Sequence, residues 1–188
     1  MAVREILLYR DHELALRRKS KPVRKHDRSI KKLVEDLKDT LTAHPEGVGL
    51  AAPQVNAHYR VVIVRLGAGS DGSSEPGPCI GLVNPKIIEA RDERKDFDGC
   101  LSFPGLYGET TRPHFLKVTG MDERGMRFDR VFEGFDAVVV HHEIDHLDGV
   151  LFVDRVTSLE DLYRVRVAEN GQQMRVPVSV TLHEGNGW

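Results

Sequence analysis

An α+β fold, in which a mostly antiparallel sheet wraps one central helix, is what the 188-residue sequence predicts. Two segments carry apolar residues at the period of a helix. Others are β-branched runs or alternate at period two, and the order along the chain is helix, strands, helix, strand. With 40% hydrophobic and 30% charged residues, the chain is long enough for one well-cored domain and short for two, so residues 1–188 are expected to form a single domain.

The first helix lies in "SIKKLVEDLKDTLTA" (29–43), where Ile30, Leu33, Val34, Leu37 and Leu41 make one apolar stripe. "RVVIVRL" (60–66) and "CIGLVNPKIIE" (79–89) are β-branched strands, separated by "GAGSDGSSEPGP" (67–78), whose Gly, Ser and Pro content marks an exposed loop. "FLKVTGMDERGMRFDRV" (115–131) reads as a hairpin around an Asp-Glu-Arg-Gly turn. The second helix runs from about Phe135 to Leu147, and its apolar positions Phe135, Val138 and Val139 continue at the same period into His142 and His146. After it, "SLEDLYRVRVAE" (158–169) suits a short helix. "RVPVSVTL" (175–182) then alternates Val176, Val178, Val180 and Leu182 as an edge strand would, Pro177 being tolerable only at an edge.

A formal net charge of −2 argues against a polyanion as principal partner, so specific nucleic-acid binding is not expected. The local basic run Arg17, Arg18, Lys19, Lys21, Arg24 and Lys25 is read as a solvated face. No apolar run approaches the roughly 20 residues of a membrane span, and the amino-terminal stretch has neither a signal-peptide nor a transit-peptide pattern. The expectation is a cytoplasmic protein without membrane contact. In such a reducing compartment Cys79 and Cys100 are not expected to pair; Cys79 reads as apolar filler.

Within the second helix stands "HHEIDH" (141–146), which contains H-E-x-x-H. His142 and His146 are four residues apart, so both imidazoles share one helical face and can grip one ion. Glu143 is then placed to act as general base on water at an open coordination position. Two histidines and a carboxylate on a buried stripe are costly unless something satisfies them, and a bound metal does so.

An open metal site of this kind uses three protein ligands. A third histidine six residues after the second is ruled out, because Phe152 stands there. Downstream Glu160 or Glu169 is a less favoured source. Upstream, "DGCLSFPG" (98–105) offers Cys100 at a backbone corner made by Gly and Pro, and Cys, His, His is an accepted catalytic set. A further segment, "GVGLAAPQ" (47–54), supplies Gly47 and Gly49 for close backbone approach, Ala51 and Ala52 for tight packing and Gln54 as an amide donor. No lysine follows, so it is not a phosphate loop.

These three segments together resemble the peptide deformylases, whose motifs in order are G-x-G-x-A-A-x-Q, E-G-C-x-S and Q-H-E-x-D-H. The resemblance covers roughly residues 4–155. Asp98 stands where the family usually has Glu and His141 where it usually has Gln, both beside the ligands rather than among them; the tail from about 156 departs from members ending in one long helix.

The resemblance implies a hydrolase that removes the formyl group from N-formyl-methionyl nascent polypeptides and releases formate, in transient contact with the ribosome. It assigns Cys100, His142 and His146 as ligands of one divalent ion, ferrous iron in cells, with nickel, cobalt or zinc able to replace it. Glu143 becomes the proton carrier. The Gln54 side-chain amide and the Leu101 N–H stabilise the oxyanion. Gly47 and Gly49 border the substrate, and Val138 and Val139 either line a methionine pocket or are plain core. Two other readings are an H-E-x-x-H metallopeptidase, disfavoured by Phe152, and a non-catalytic peptide-binding module, disfavoured because all three ligands and Glu143 are present.

Overall fold

A computed structural model describes residues 2–67, 77–167 and 173–178. In chain order these form α1 (Tyr9–Leu16), α2 (Arg28–Thr42), β1 (Gly49–Ala51), β2 (Val61–Arg65), β3 (Cys79–Gly99), β4 (Leu106–Asp122), β5 (Arg127–Glu133), α3 (Gly134–Leu147), β6 (Leu162–Val167) and β7 (Gln173–Pro177). The pairings between these strands are antiparallel, in the order β1-β2-β3-β4-β6-β7, with β5 also on β4, and one isolated parallel bridge joins Lys21 to Tyr59. The fold is the predicted α+β arrangement.

Helix α2 starts where the Asp27 carboxylate accepts from the Ser29 and Ile30 N–H groups, satisfying donors that a helix start leaves orphaned. All five residues of its predicted stripe are buried. They meet one face of β2, through Val61 and Ile63, while the opposite face, through Val62 and Val64, packs against α3. Side chains alternate along a strand, so a strand covered on both faces is apolar throughout, and "VVIV" is such a run.

Between Ala137 and Leu147 every residue of α3 is buried except the half-buried His141. The helix therefore has no solvated side, a wider burial than the predicted stripe. β1, β2, β4 and β5 all pack on it.

Strands β3 and β4 run beyond the predicted 79–89 and 115–131, pairing as far as Gly99↔Tyr107. The added residues of β3, "ARDERKDFDG", are mostly exposed and polar; the ladder with β4 holds them extended where composition carries no strand signal. The predicted turn is present, with Asp122 Oδ1 accepting from the Arg124 and Met126 N–H groups and Gly125 at a φ of 84°.

The expected short helix at 158–169 is corrected. Only Leu159–Asp161 turns, as one 3₁₀ segment, and Leu162–Val167 is strand β6, paired with Leu106–Gly108 of β4. The alternation in "LYRVRV" fits a pleat, and β4 offers a free edge there. β7 is the expected edge strand with Pro177 at its end; Val180, Leu182, Glu169 and most of the 67–78 loop lie outside the described residues.

Helix α1 was not legible in the sequence. It is eight residues long, buries only Leu16 and kinks at His12. In the basic run, Arg18, Lys19, Lys21, Arg24 and Lys25 are exposed as expected, whereas Arg17 bonds Asp154 and Glu13. Cys79 packs on the α2 cluster as filler.

Gly149, just past α3, has a φ of +75°, and a Cβ there would lie 2.1 Å from the Arg17 carbonyl oxygen. Gly149→Ala is expected to cost about 2–4 kcal/mol. For a chain of this size calorimetry should show Tm lowered by roughly 5 °C or more; a change under about 2 °C would mean the chain relieves the contact.

Candidate active site

The predicted ligands meet. Cys100 Sγ, one imidazole nitrogen of His142 and one of His146 all lie within 4.8 Å of one another. Donors of such a set sit roughly 3.3–3.8 Å apart around one tetrahedral ion, and Cys100 Sγ to His146 Nε2 is 3.3 Å. Helical spacing sets the two rings with centroids 4.9 Å apart. Cys100 reaches them because β3 ends at Gly99 and the chain turns at once, the Phe103 N–H donating to the Cys100 carbonyl.

His142 Nδ1 faces Asp98 Oδ1 at 2.7 Å, leaving Nε2 for the cluster. Burial disfavours charge on this imidazole, yet the Asp98 carboxylate outweighs it and holds the pKa well above the ordinary value. Burial would raise Asp98 too, but His142 and Arg112 keep it well below the usual carboxylate range. His146, with burial dominant, is pushed well below its ordinary value, and its buried Nδ1 has no partner among the described residues. A thiol, a neutral imidazole and an imidazole backed by a carboxylate form a donor set that fits a divalent cation. Glu160 is exposed on the 3₁₀ turn and does not join it. Phe152 is buried and stacks near His142, so the third-histidine route is closed in space as in sequence.

Glu143 is buried beside the cluster, and its Oε2 has no hydrogen-bond partner among the described residues. Burial pushes its pKa up to about 7. Gly49 makes room for it: a Cβ at that position would lie 2.3 Å from Glu143 Oε1. At Gly47 a Cβ would come within 2.9 Å of the Leu101 side chain. The close backbone approach read in "GVGLAAPQ" is thus an approach to Glu143 and Leu101.

Gln54 does two things at once. Its Oε1 accepts the Ala51 N–H at 2.8 Å, and its Nε2 lies 3.1 Å from Ser102 Oγ and 3.4 Å from Cys100 Sγ. The amide is buried and oriented, with its donor end at Cys100 and Ser102. Gln54, Leu101, Gly47, Gly49, Val138, Val139 and Glu143 all line one cavity of about 710 Å³, which reaches outward past Phe97 and Tyr107. Val139 also belongs to the α3 core, so lining and packing coexist.

Sequence reasoning missed the polar frame behind the ligands. Arg112, fully buried on β4, donates to Asp98, Asp145 and His141, and Arg155 grips Asp145 from the other side. His141 is held near a pKa of 4 by burial, which leaves it neutral with Nδ1 free to accept. The amino-terminal segment was missed as well: the Leu7 N–H donates to the Gln54 carbonyl and the Tyr9 N–H to the Ser102 carbonyl. Asp145 and Ser102 stood inside the quoted motifs without a role, and Arg112 stood in no motif.

A family model described as polypeptide deformylase matches residues 3–161. A peptide deformylase of Caldicellulosiruptor bescii is 44% identical over 156 residues, 83% of this chain and 87% of the relative. A peptide deformylase structure from Legionella pneumophila superposes with a TM-score of 0.73 at 36% identity, covering 84% of this chain and 88% of that one. One from Ehrlichia chaffeensis gives a TM-score of 0.76 at 31% identity, with 85% and 91% covered.

The two cysteines should behave unequally. With Cys100 as the predicted third ligand, Cys100→Ala is expected to lose most bound metal on dialysis, whereas Cys79→Ala should keep it. Equal losses by elemental analysis would overturn Cys100 as a ligand.

Proposed function

Because the chain belongs to the polypeptide deformylase family, we propose that it removes the formyl group from the amino terminus of newly synthesised polypeptides and releases formate, with Glu143 moving the protons. The observation that carries this reading is a buried carboxylate with an unpartnered oxygen beside a Cys/His/His cluster, at the wall of a cavity large enough for a peptide end.

Cys100, His142 and His146 would hold one divalent cation, whose Lewis acidity makes water ionisable near neutral pH. Our reading of the ion is ferrous iron in cells, replaceable by zinc, nickel or cobalt, which a thiolate with two imidazoles accommodates. Amide hydrolysis needs a proton taken from water and one delivered to the departing nitrogen. A carboxyl poised near neutrality, as burial makes Glu143, can do both in turn. The formyl oxygen gains negative charge as water adds, and donors fixed beforehand stabilise that charge without reorganising. Gln54 Nε2 and the Leu101 N–H are those donors in our reading, supported by the fixed tilt of the Gln54 amide and by Leu101 adjoining Cys100. Val138 and Val139 receive the methionine side chain, and Gly47 and Gly49 border the peptide backbone.

The chain acts as one catalytic domain, with its tail from about 156 completing the sheet, in the cytoplasm and in transient contact with the ribosome that supplies its substrate. No helix among the described residues is long and apolar enough to cross a membrane.

Metal-loaded protein given a formyl-Met peptide should release formate and should leave an unformylated peptide uncut internally. Internal cleavage without formate would favour a metallopeptidase, and neither product a binding module.

Glu143→Ala should keep its metal and lose nearly all formate release, since the side chain moves protons and is not a ligand. A metal-free or fully active variant would refute the role. Gln54→Glu keeps an oxygen for the Ala51 N–H but removes the donor and buries a carboxylate, so kcat of the folded, metal-loaded fraction should fall by about 10²-fold or more, with Tm lowered as well. Gln54→Ala should lose both turnover and stability. Unchanged kcat in the folded fraction of either variant would reduce Gln54 to a structural peg.

A further inference from the structure

Arg112 is 0% exposed, and a guanidinium in the core is tolerable only if its donors are matched. Its Nε–H donates to Asp98 Oδ2 at 2.7 Å, its NH1 group donates to Asp145 Oδ2 and to His141 Nδ1, each at 2.8 Å, and its NH2 stands 3.4 Å from His142 Nδ1, whose own proton goes to the nearer Asp98 Oδ1. Arginine only donates, so His141 must accept. Asp145 is held in turn by two bonds from Arg155, at 2.5 and 2.7 Å. With Thr110 Oγ1 also on Asp98 Oδ2 at 2.8 Å, the remaining Oδ1 has one direction left, toward His142 Nδ1 at 2.7 Å. Fixing the guanidinium thus fixes the carboxylate that orients His142.

Two of the arms that pin Arg112 are short. The acceptors of Asp98 and His141 both sit at the δ position, whereas glutamate and glutamine, the residues of the motifs this chain resembles, carry theirs at ε, about 1.5 Å farther from the backbone. Asp145, gripped by Arg155, anchors NH1 on one side, so the guanidinium can turn about that bond but not slide away from it. A longer carboxylate at 98 would then be driven toward His142, unless the arm at 141 were longer too and let NH1 follow.

We infer that Arg112 is a positioning residue for the metal-ligand imidazole of His142, and that Asp98 and His141 are a matched pair which sets its place. This rests on the reading of Cys100, His142 and His146 as metal ligands. Residues in one hydrogen-bond network couple, so the two substitutions must fail to act independently.

The test loads Co²⁺ into the parent, Asp98→Glu, His141→Gln and the double variant. It records the visible absorption of the ion and the rate of its loss to a chelator. Asp98→Glu should lose Co²⁺ about 10-fold faster than the parent with an altered spectrum, and His141→Gln about 3-fold faster. The double variant should return to within about 3-fold of the parent, with the parental spectrum. A double variant whose loss rate is the product of the two single effects would overturn the pairing. If Asp98→Glu alone does not fold, thermal melts decide: recovery of folding on adding His141→Gln supports the pair, and no recovery overturns it. In Zn²⁺-loaded, ¹⁵N-labelled protein the Arg112 Nε–H resonance should shift in Asp98→Glu and return in the double variant; a resonance unmoved in both would remove Arg112 from the route. Formate release by the Co²⁺-loaded parent is measured alongside. A parent that binds Co²⁺ without releasing formate faults the functional reading and leaves the pairing standing.

Discussion

Carrying His142, Glu143, Asp145 and His146 on a helix with almost no solvated face is the constraint from which the rest of the structure follows. Each group loses its water there, and a buried polar group without a partner costs on the order of 1–3 kcal/mol, more if charged. Asp98 answers His142, Arg112 and Arg155 answer Asp145, and the Cys100 thiol faces His146. Left without a partner among the described residues are His146 Nδ1 and Glu143 Oε2, and of the two residues only Glu143 lines the cavity. The sheet supplies the cover: β1, β2, β4 and β5 enclose the helix, and the ends of β3 and β4 bring the answering charges.

The parts legible in the sequence share a property: their signals are local. Ile30 to Leu41, Val61 to Val64 and the pair His142/His146 announce themselves by spacing within one element. Cys100 and Gln54 were reachable because each sits in a short ordered motif. Arg112 was not, since a lone arginine in "TTRPHF" looks like a surface residue until the strand that carries it is known to run beneath α3. The outer half of β3 was invisible for a related reason, its extension being imposed by β4 rather than by its own residues.

The misread tail shows the converse. "SLEDLYRVRV" opens with helix-forming residues, and nothing within it reveals that Leu106–Gly108 of β4 waits as an unpaired edge. Tertiary pairing overrode a weak local preference. The Tyr107↔Tyr163 register then stacks the two rings, with Arg175 of β7 over Tyr163. Since Tyr107 borders the cavity, the tail belongs to the wall of the site at one remove.

The amino-terminal segment ties Leu7 to Gln54 and Tyr9 to Ser102, while Gln54 meets Cys100, and Cys100 meets His146, each across 46 positions of chain. Nearly every contact that defines the site is therefore distant in sequence, and closing such loops costs entropy before any contact repays it. On a ribosome that delivers a chain from its amino-terminal side, Tyr9 must wait for Ser102 to emerge, and Cys100 for His146. An enzyme that acts on the newest ends of other chains cannot assemble its own site until the residues through His146 have left the tunnel.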